Sequence, residues 1–142
     1  MKQEWDGGLL FQFGEFILAS GAISRFKLVC EAVAPEEWHS LARIALPILP
    51  AFDRVVSVPR GGDAWATIFS QYIQPQSGAH RVLVVDDVWT TGKSMFARVE
   101  RIEIDSPHDF KFGFKWHGVV LFARGPVPKN VTALFTLNEN LQ

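Results

Sequence analysis

Val82-Leu83-Val84-Val85-Asp86-Asp87-Val88-Trp89-Thr90-Thr91-Gly92-Lys93-Ser94 is the stretch that decides how this chain folds. Its four leading apolar residues read as a strand buried on both faces, as in the centre of a parallel sheet. Two carboxylates follow where that strand is expected to end. A turn of small residues then leads into Met95, Val99 and Ile102, whose spacing predicts a helix over 93–102. Open α/β sheets bind their ligands at the carboxyl ends of strands, which makes this turn the expected functional loop.

On either side the chain alternates between strand and helix patterns. Val55-Val56-Ser57-Val58 predicts a strand, and Ala64, Trp65, Ile68 and Tyr72 mark a helix over 63–73. Upstream, a helix is expected to start near Pro35, with Trp38, Leu41, Ala42, Ala45 and Ile48 on one face. Pro35 suits a first helical turn, Glu36 and Glu37 suit its dipole, and Pro47 and Pro50 end or kink the helix. Residues 16–33 read as a hairpin, and 118–123 and 131–137 as further strands. This alternation predicts an α/β fold, a parallel sheet with helices on both faces.

From Asp109 to Trp116, Phe110, Phe112, Phe114 and Trp116 alternate with Asp109, Lys111, Gly113 and Lys115, predicting a strand with one aromatic face. The lysines fall on the opposite face, so no mixed basic–aromatic platform for nucleic acid forms; a sheet edge or dimer surface is the expectation. His108 and His117 flank the segment at a spacing that carries no metal signature.

Composition fits one core. The 142 residues are enough for a sizeable single domain, and a net charge of −1 implies neither a polyanion nor an anionic membrane as partner. Cys30 is the only cysteine, so no internal disulfide is expected and a reducing, cytoplasmic location is. No signal peptide and no apolar run of membrane length is apparent.

The chemistry of the 90–94 turn follows from its residue types. Thr90, Thr91 and Ser94 offer hydroxyls, and Gly92 lets backbone N–H groups approach a ligand. The N–H groups that open a helix are unpaired and lie at the positive end of its dipole, so a phosphate is the natural guest. Asp86 and Asp87 would repel it unless they serve another part of the same molecule. Carboxylates accept hydrogen bonds and sugar hydroxyls donate them, so a phosphorylated ribose satisfies both groups. Gly92-Lys93-Ser94 has the ending of a nucleotide-binding P-loop, but that motif needs glycine at position 87, where Asp87 stands.

The whole of 82–94 closely resembles the phosphoribosyl-diphosphate (PRPP) motif of type I phosphoribosyltransferases. Pro59-Arg60-Gly61-Gly62, one strand–helix unit earlier, resembles the pyrophosphate loop of the same family, which often carries a cis peptide, here at Pro59–Arg60. Phe13 to Gly21 and Ser24-Arg25-Phe26 resemble the early segment of the orotate phosphoribosyltransferases. The resemblance implies a Rossmann-like core at 35–142 under a small N-terminal hood at 1–34. It implies that Asp86 and Asp87 are the catalytic pair that holds the ribose hydroxyls. Thr90, Thr91, Gly92, Lys93 and Ser94 would grip the 5′-phosphate, and Arg60, Gly61 and Gly62 the pyrophosphate. Arg124 and Phe26 would meet the base. It implies Mg²⁺ as the companion of PRPP, with no residue assigned as a direct metal ligand, and a homodimer.

Three departures from the family pattern bear on activity. Ala22-Ile23 stand where the orotate enzymes carry a lysine, and Thr90 stands where hypoxanthine-type enzymes carry an aspartate. Between Ile73 and Arg81, where a long basic loop usually closes over the diphosphate, Gln74 to His80 contain no lysine or arginine. Two functions remain open: phosphoribosyl transfer to an orotate-like base, and a noncatalytic PRPP- or nucleotide-binding module.

Overall fold

The protein is described from a computed structural model for residues 11–17, 23–28, 33–74, 80–105 and 115–137. Strands β1 (Phe11–Ile17) and β2 (Ile23–Leu28) form an antiparallel pair; the hairpin expected over 16–33 is present but begins earlier, with only Phe16 and Ile17 of β1 inside that range. Cys30 and residues 109–114 lie outside the described residues.

The rest is a four-stranded parallel sheet in the order β3 (Arg54–Ser57), β4 (Arg81–Trp89), β5 (Lys115–Ala123), β6 (Val131–Thr136). Helix α1 (Pro35–Ala45) precedes the sheet, α2 (Asp63–Phe69) joins β3 to β4, and α3 (Lys93–Asp105) joins β4 to β5. At the start of α1, Glu37 Oε1 accepts the Ala34 N–H at 2.8 Å, which satisfies one of the donors a helix start leaves unpaired.

Strand periodicity sorts the core onto two faces. Leu83 and Val85 pack with Val119, Leu121 and the α1–α2 residues Trp38, Ala42, Trp65 and Phe69. Val82 and Val84 pack with Val120 and the α3 residues Met95, Val99 and Ile102. Helices therefore cover both faces, as the alternation predicts. His117, on β5, bonds across to Thr132 Oγ1 at 2.7 Å; burial, and then the charge of Arg81, hold its imidazole below its ordinary range.

Several boundaries differ from the sequence expectation. β4 does not stop before the acidic pair but runs through it to Trp89, because β5 continues alongside: Asp86 lies opposite Val120 and Val88 opposite Phe122. β5 begins at Lys115, so Lys115 and Trp116 belong to an interior strand between β4 and β6, not to a separate edge strand. The expected helix 63–73 ends at Phe69 and tightens into a 3₁₀ turn over Ser70–Tyr72. Ile48, expected on the buried face, is 60% exposed, because α1 ends at Ala45 and a 3₁₀ turn containing Pro47 rotates the next residues away.

Candidate functional site

At the acidic pair the alternation of faces slips by one. Val85 and Val88 both pack toward α1 and α2, whereas Trp89 packs toward α3. β5 slips at the same level, with Leu121 and Phe122 in succession on the α1–α2 side and Ala123 on the other. The pairing of the two strands is kept, and the step turns the last residues of β4 so that Trp89 lies beneath the loop that follows.

That loop, Thr90–Gly92, opens the thirteen-residue α3. Gly92 has φ +86°, a conformation that favours glycine, and a methyl group there would collide with the Trp89 indole. Phe96 N–H donates to Gly92 O at 2.9 Å, the first bond of the helix. Lys93 N–H makes a long contact of 3.4 Å with Thr91 Oγ1. The indole Nε1–H of Trp89 donates to Pro126 O at 3.1 Å, and Arg124 N–H donates to Trp89 O at 2.8 Å. The β5–β6 connection is thereby fastened to the loop from below.

Across from it lies the loop between β3 and α2, with the cis peptide at Pro59–Arg60. Val58 N–H donates to Val85 O at 2.8 Å, and Gly62 N–H to Val58 O at 3.0 Å. Side chains would be excluded at both glycines: a methyl group on Gly61 would run into the Asp87 carboxylate, and one on Gly62 into the Val85 carbonyl. The two loops thus meet over the acidic pair. The cleft between them, about 390 Å³, is lined by Gly61, Asp86, Asp87 and the whole of Thr90–Ser94. A second, adjoining cleft of about 890 Å³ shares Gly61 and Asp87 and adds Arg60, Trp38, His39 and Gln71.

The two aspartates differ sharply. Asp86 is 8% exposed, and burial, followed by the hydrogen bond and charge of Asp87, pushes its carboxyl up to about 8. Its Oδ1 accepts the Asp87 N–H at 2.8 Å. Asp87 is half-buried, its Oδ1 accepts the Val88 N–H at 2.7 Å, and it faces both clefts. Among the described residues no group of three or more His, Cys, Asp or Glu could hold a metal by itself. Mg²⁺ that keeps waters and substrate phosphates as ligands needs only one or two carboxylates, and Asp87, which faces the cleft, fits that mode.

Of the residues expected at the site, Gly61, Asp86, Asp87 and Thr90 to Ser94 line the first cleft, Arg60 lines the adjoining one, and Gly62 lines neither. Arg124 is half-buried at the end of β5 and, among the described residues, lines neither cleft. Phe26 pairs with Phe13 in the hairpin backbone; its expected contact with a base lies outside what is described. Sequence reasoning gave Trp89 no role, although a tryptophan directly before a small-residue loop was a visible signal. It also passed over Arg98 on α3, whose Nε–H donates to Ser57 O at 3.0 Å; nothing in the sequence marks that contact.

Solved structures of the same fold include orotate phosphoribosyltransferases. The enzyme from Aeropyrum pernix matches with a TM-score of 0.68 and 21% identity over 89% of this chain and 88% of its own. That from Mycobacterium tuberculosis H37Rv matches with a TM-score of 0.60 and 17% identity over 91% and 90%. Leishmania donovani UMP synthase matches at 0.64 and 22% identity; the match takes in 90% of this chain and 34% of that one. No protein-family model and no curated protein matches the chain. The fold is the one that these orotate phosphoribosyltransferases share. Among the described residues no helix is long and apolar enough to cross a membrane.

Proposed function

We propose that the chain binds PRPP with Mg²⁺ and transfers its phosphoribosyl group to a nitrogenous base of the orotate type, releasing pyrophosphate. The observation that carries this reading is the convergence of two loops on one acidic pair, with Gly61 against Asp87 and Thr90 to Ser94 on the other wall of the cleft. Only a ligand with phosphates at both ends and hydroxyls between them uses all three groups.

In this reading the N–H groups and hydroxyls of Thr90–Ser94 hold the 5′-phosphate at the positive end of α3. Asp87 accepts from the ribose hydroxyls and favours the positive charge that grows on the ring as the C1–diphosphate bond lengthens. Asp86, holding its proton at neutral pH, keeps the pair from repelling the phosphates as a double negative charge. Arg60 and the N–H of Gly61 receive the leaving pyrophosphate, while the Gly62 N–H, bonded to Val58 O, holds the turn in shape. When bound, Mg²⁺ supplies charge neutralisation of the diphosphate.

A noncatalytic binding module is the second reading, favoured by the absence of lysine and arginine from residues 74–80. Pyrophosphate release from PRPP and Mg²⁺, measured across a panel of bases including orotate, separates the two. Release with one base supports transfer. Tight PRPP binding with no release for any base supports the module, and no binding at all rejects both.

A further inference from the structure

Arg98 lies on α3 one turn beyond Ser94, on the same side of the helix at i+4, outside the expected PRPP motif. Its Nε–H reaches Ser57 O, the last carbonyl of β3, at 3.0 Å across 41 residues of sequence. β3 is the end strand of the four-stranded sheet, and Val58 N–H already points to Val85 O of β4. Because alternate residues of a parallel strand face the same neighbour, the Ser57 carbonyl is turned away from β4 and finds its partner in Arg98. Ser57 Oγ in turn donates to Asp63 Oδ1 at 2.6 Å, at the first residue of α2. Val58 to Gly62 is thus closed at its base by Ser57 and Asp63, and that base is tied by a charge-assisted bond to the helix whose start forms the other loop.

Resting on the PRPP reading above, we propose that Arg98 is a positioning residue that fixes the distance between the 58–62 loop and the 90–94 loop. It touches no ligand. It matters to a ligand that spans both loops, since such a molecule is held at two points whose separation must be right before it arrives. A ligand held by the 90–94 loop alone does not sense that separation.

The experiment compares wild type, Arg98→Ala and Arg98→Lys by calorimetric titration with PRPP and with ribose 5-phosphate, both in Mg²⁺. The expected result is a split. Arg98→Ala weakens PRPP about five- to tenfold, the loss typical of one net hydrogen bond, and leaves ribose 5-phosphate within about twofold. Arg98→Lys, which keeps the stem and the charge, recovers part of the PRPP affinity and serves in place of Arg98→Ala if the latter does not fold. Equal weakening of both ligands means that Arg98 only supports the fold and overturns the inference; so does unchanged PRPP affinity in both variants. Wild-type protein that binds neither ligand overturns the PRPP reading itself, which is a different outcome from either of these.

Discussion

Asp86 and Asp87 are adjacent in sequence, yet their surroundings give them different chemistry. The folded chain keeps a proton on Asp86 up to about pH 8, whereas an unfolded aspartate releases it near its ordinary value of 3.8. Between those values the folded state holds more protons, so this residue makes ligand-free stability fall as pH rises through that window. Asparagine imitates the protonated acid: its carbonyl can still accept the Asp87 N–H and its amide can donate to the Asp87 carboxylate. We expect Asp86→Asn to match wild type within about 1 kcal/mol near pH 4 and to exceed it near pH 8.5, in line with one buried charge removed. Thermal unfolding across pH checks this; parallel curves for the two proteins would refute it. Gly61 offers a second test. A methyl group there meets the Asp87 carboxylate first. Gly61→Ala is expected to lower PRPP affinity by about tenfold or more, roughly the 1.4 kcal/mol of a displaced contact, with little change in unfolding temperature. An unchanged affinity would mean that the two loops do not share a ligand.

At the scale of elements, the decisive part is the junction of β4 with α3. Trp89 is 5% exposed, supports Gly92 with its ring, meets Phe96 edge-on at 5.6 Å, and holds Pro126 O through Nε1. Trp89→Phe keeps most of the ring and removes the donor, so it is expected to cost about 1 kcal/mol. Trp89→Ala empties the space under the loop and is expected to cost about 3–5 kcal/mol. Denaturant unfolding of both variants tests the difference; equal costs would show that the ring is not a support for the loop. The strand, the helix and the loop between them were legible from residue types. The slip at Asp87 was not, because it depends on β5 slipping at the same level, and β5 lies 26 residues beyond β4.

For the whole molecule, ligand binding should couple to stability. If the cleft takes PRPP, ligand at about 100 times its Kd should add roughly 2.7 kcal/mol, or several degrees in the unfolding temperature. Asp87→Asn combined with Thr91→Ala should abolish that shift and leave the circular dichroism of the folded chain unchanged. No shift for wild type with PRPP, Mg²⁺ present, would remove the basis of the functional reading. With so little basic sequence between α2 and β4, turnover should be slow unless a partner supplies cations. Lys115 of the same chain does not serve: it lies in register with Arg81, five residues before Asp86, or about 16 Å down the strand. Lys115 could contribute only from a second copy, and Lys111 lies outside the described residues. Robust pyrophosphate release, unaltered in Lys111→Ala/Lys115→Ala, would sink both the slow turnover and the borrowed lysine.

The sequence by itself determined the class of fold and the three clusters of the candidate site, because these depend on short-range patterns. A run of apolar residues specifies a buried strand wherever it occurs, and glycine, threonine and paired aspartates carry their chemistry with them. Only the tertiary structure decided that β4 continues through both aspartates, that Asp86 is buried while Asp87 faces two clefts, and that Trp89 and Arg98 brace the loops. Each of those facts depends on a partner far along the chain: β5 for the strand, Pro126 for the indole, Ser57 for the guanidinium. Burial and hydrogen-bond pairing are properties of what packs against a residue, and no local pattern contains them.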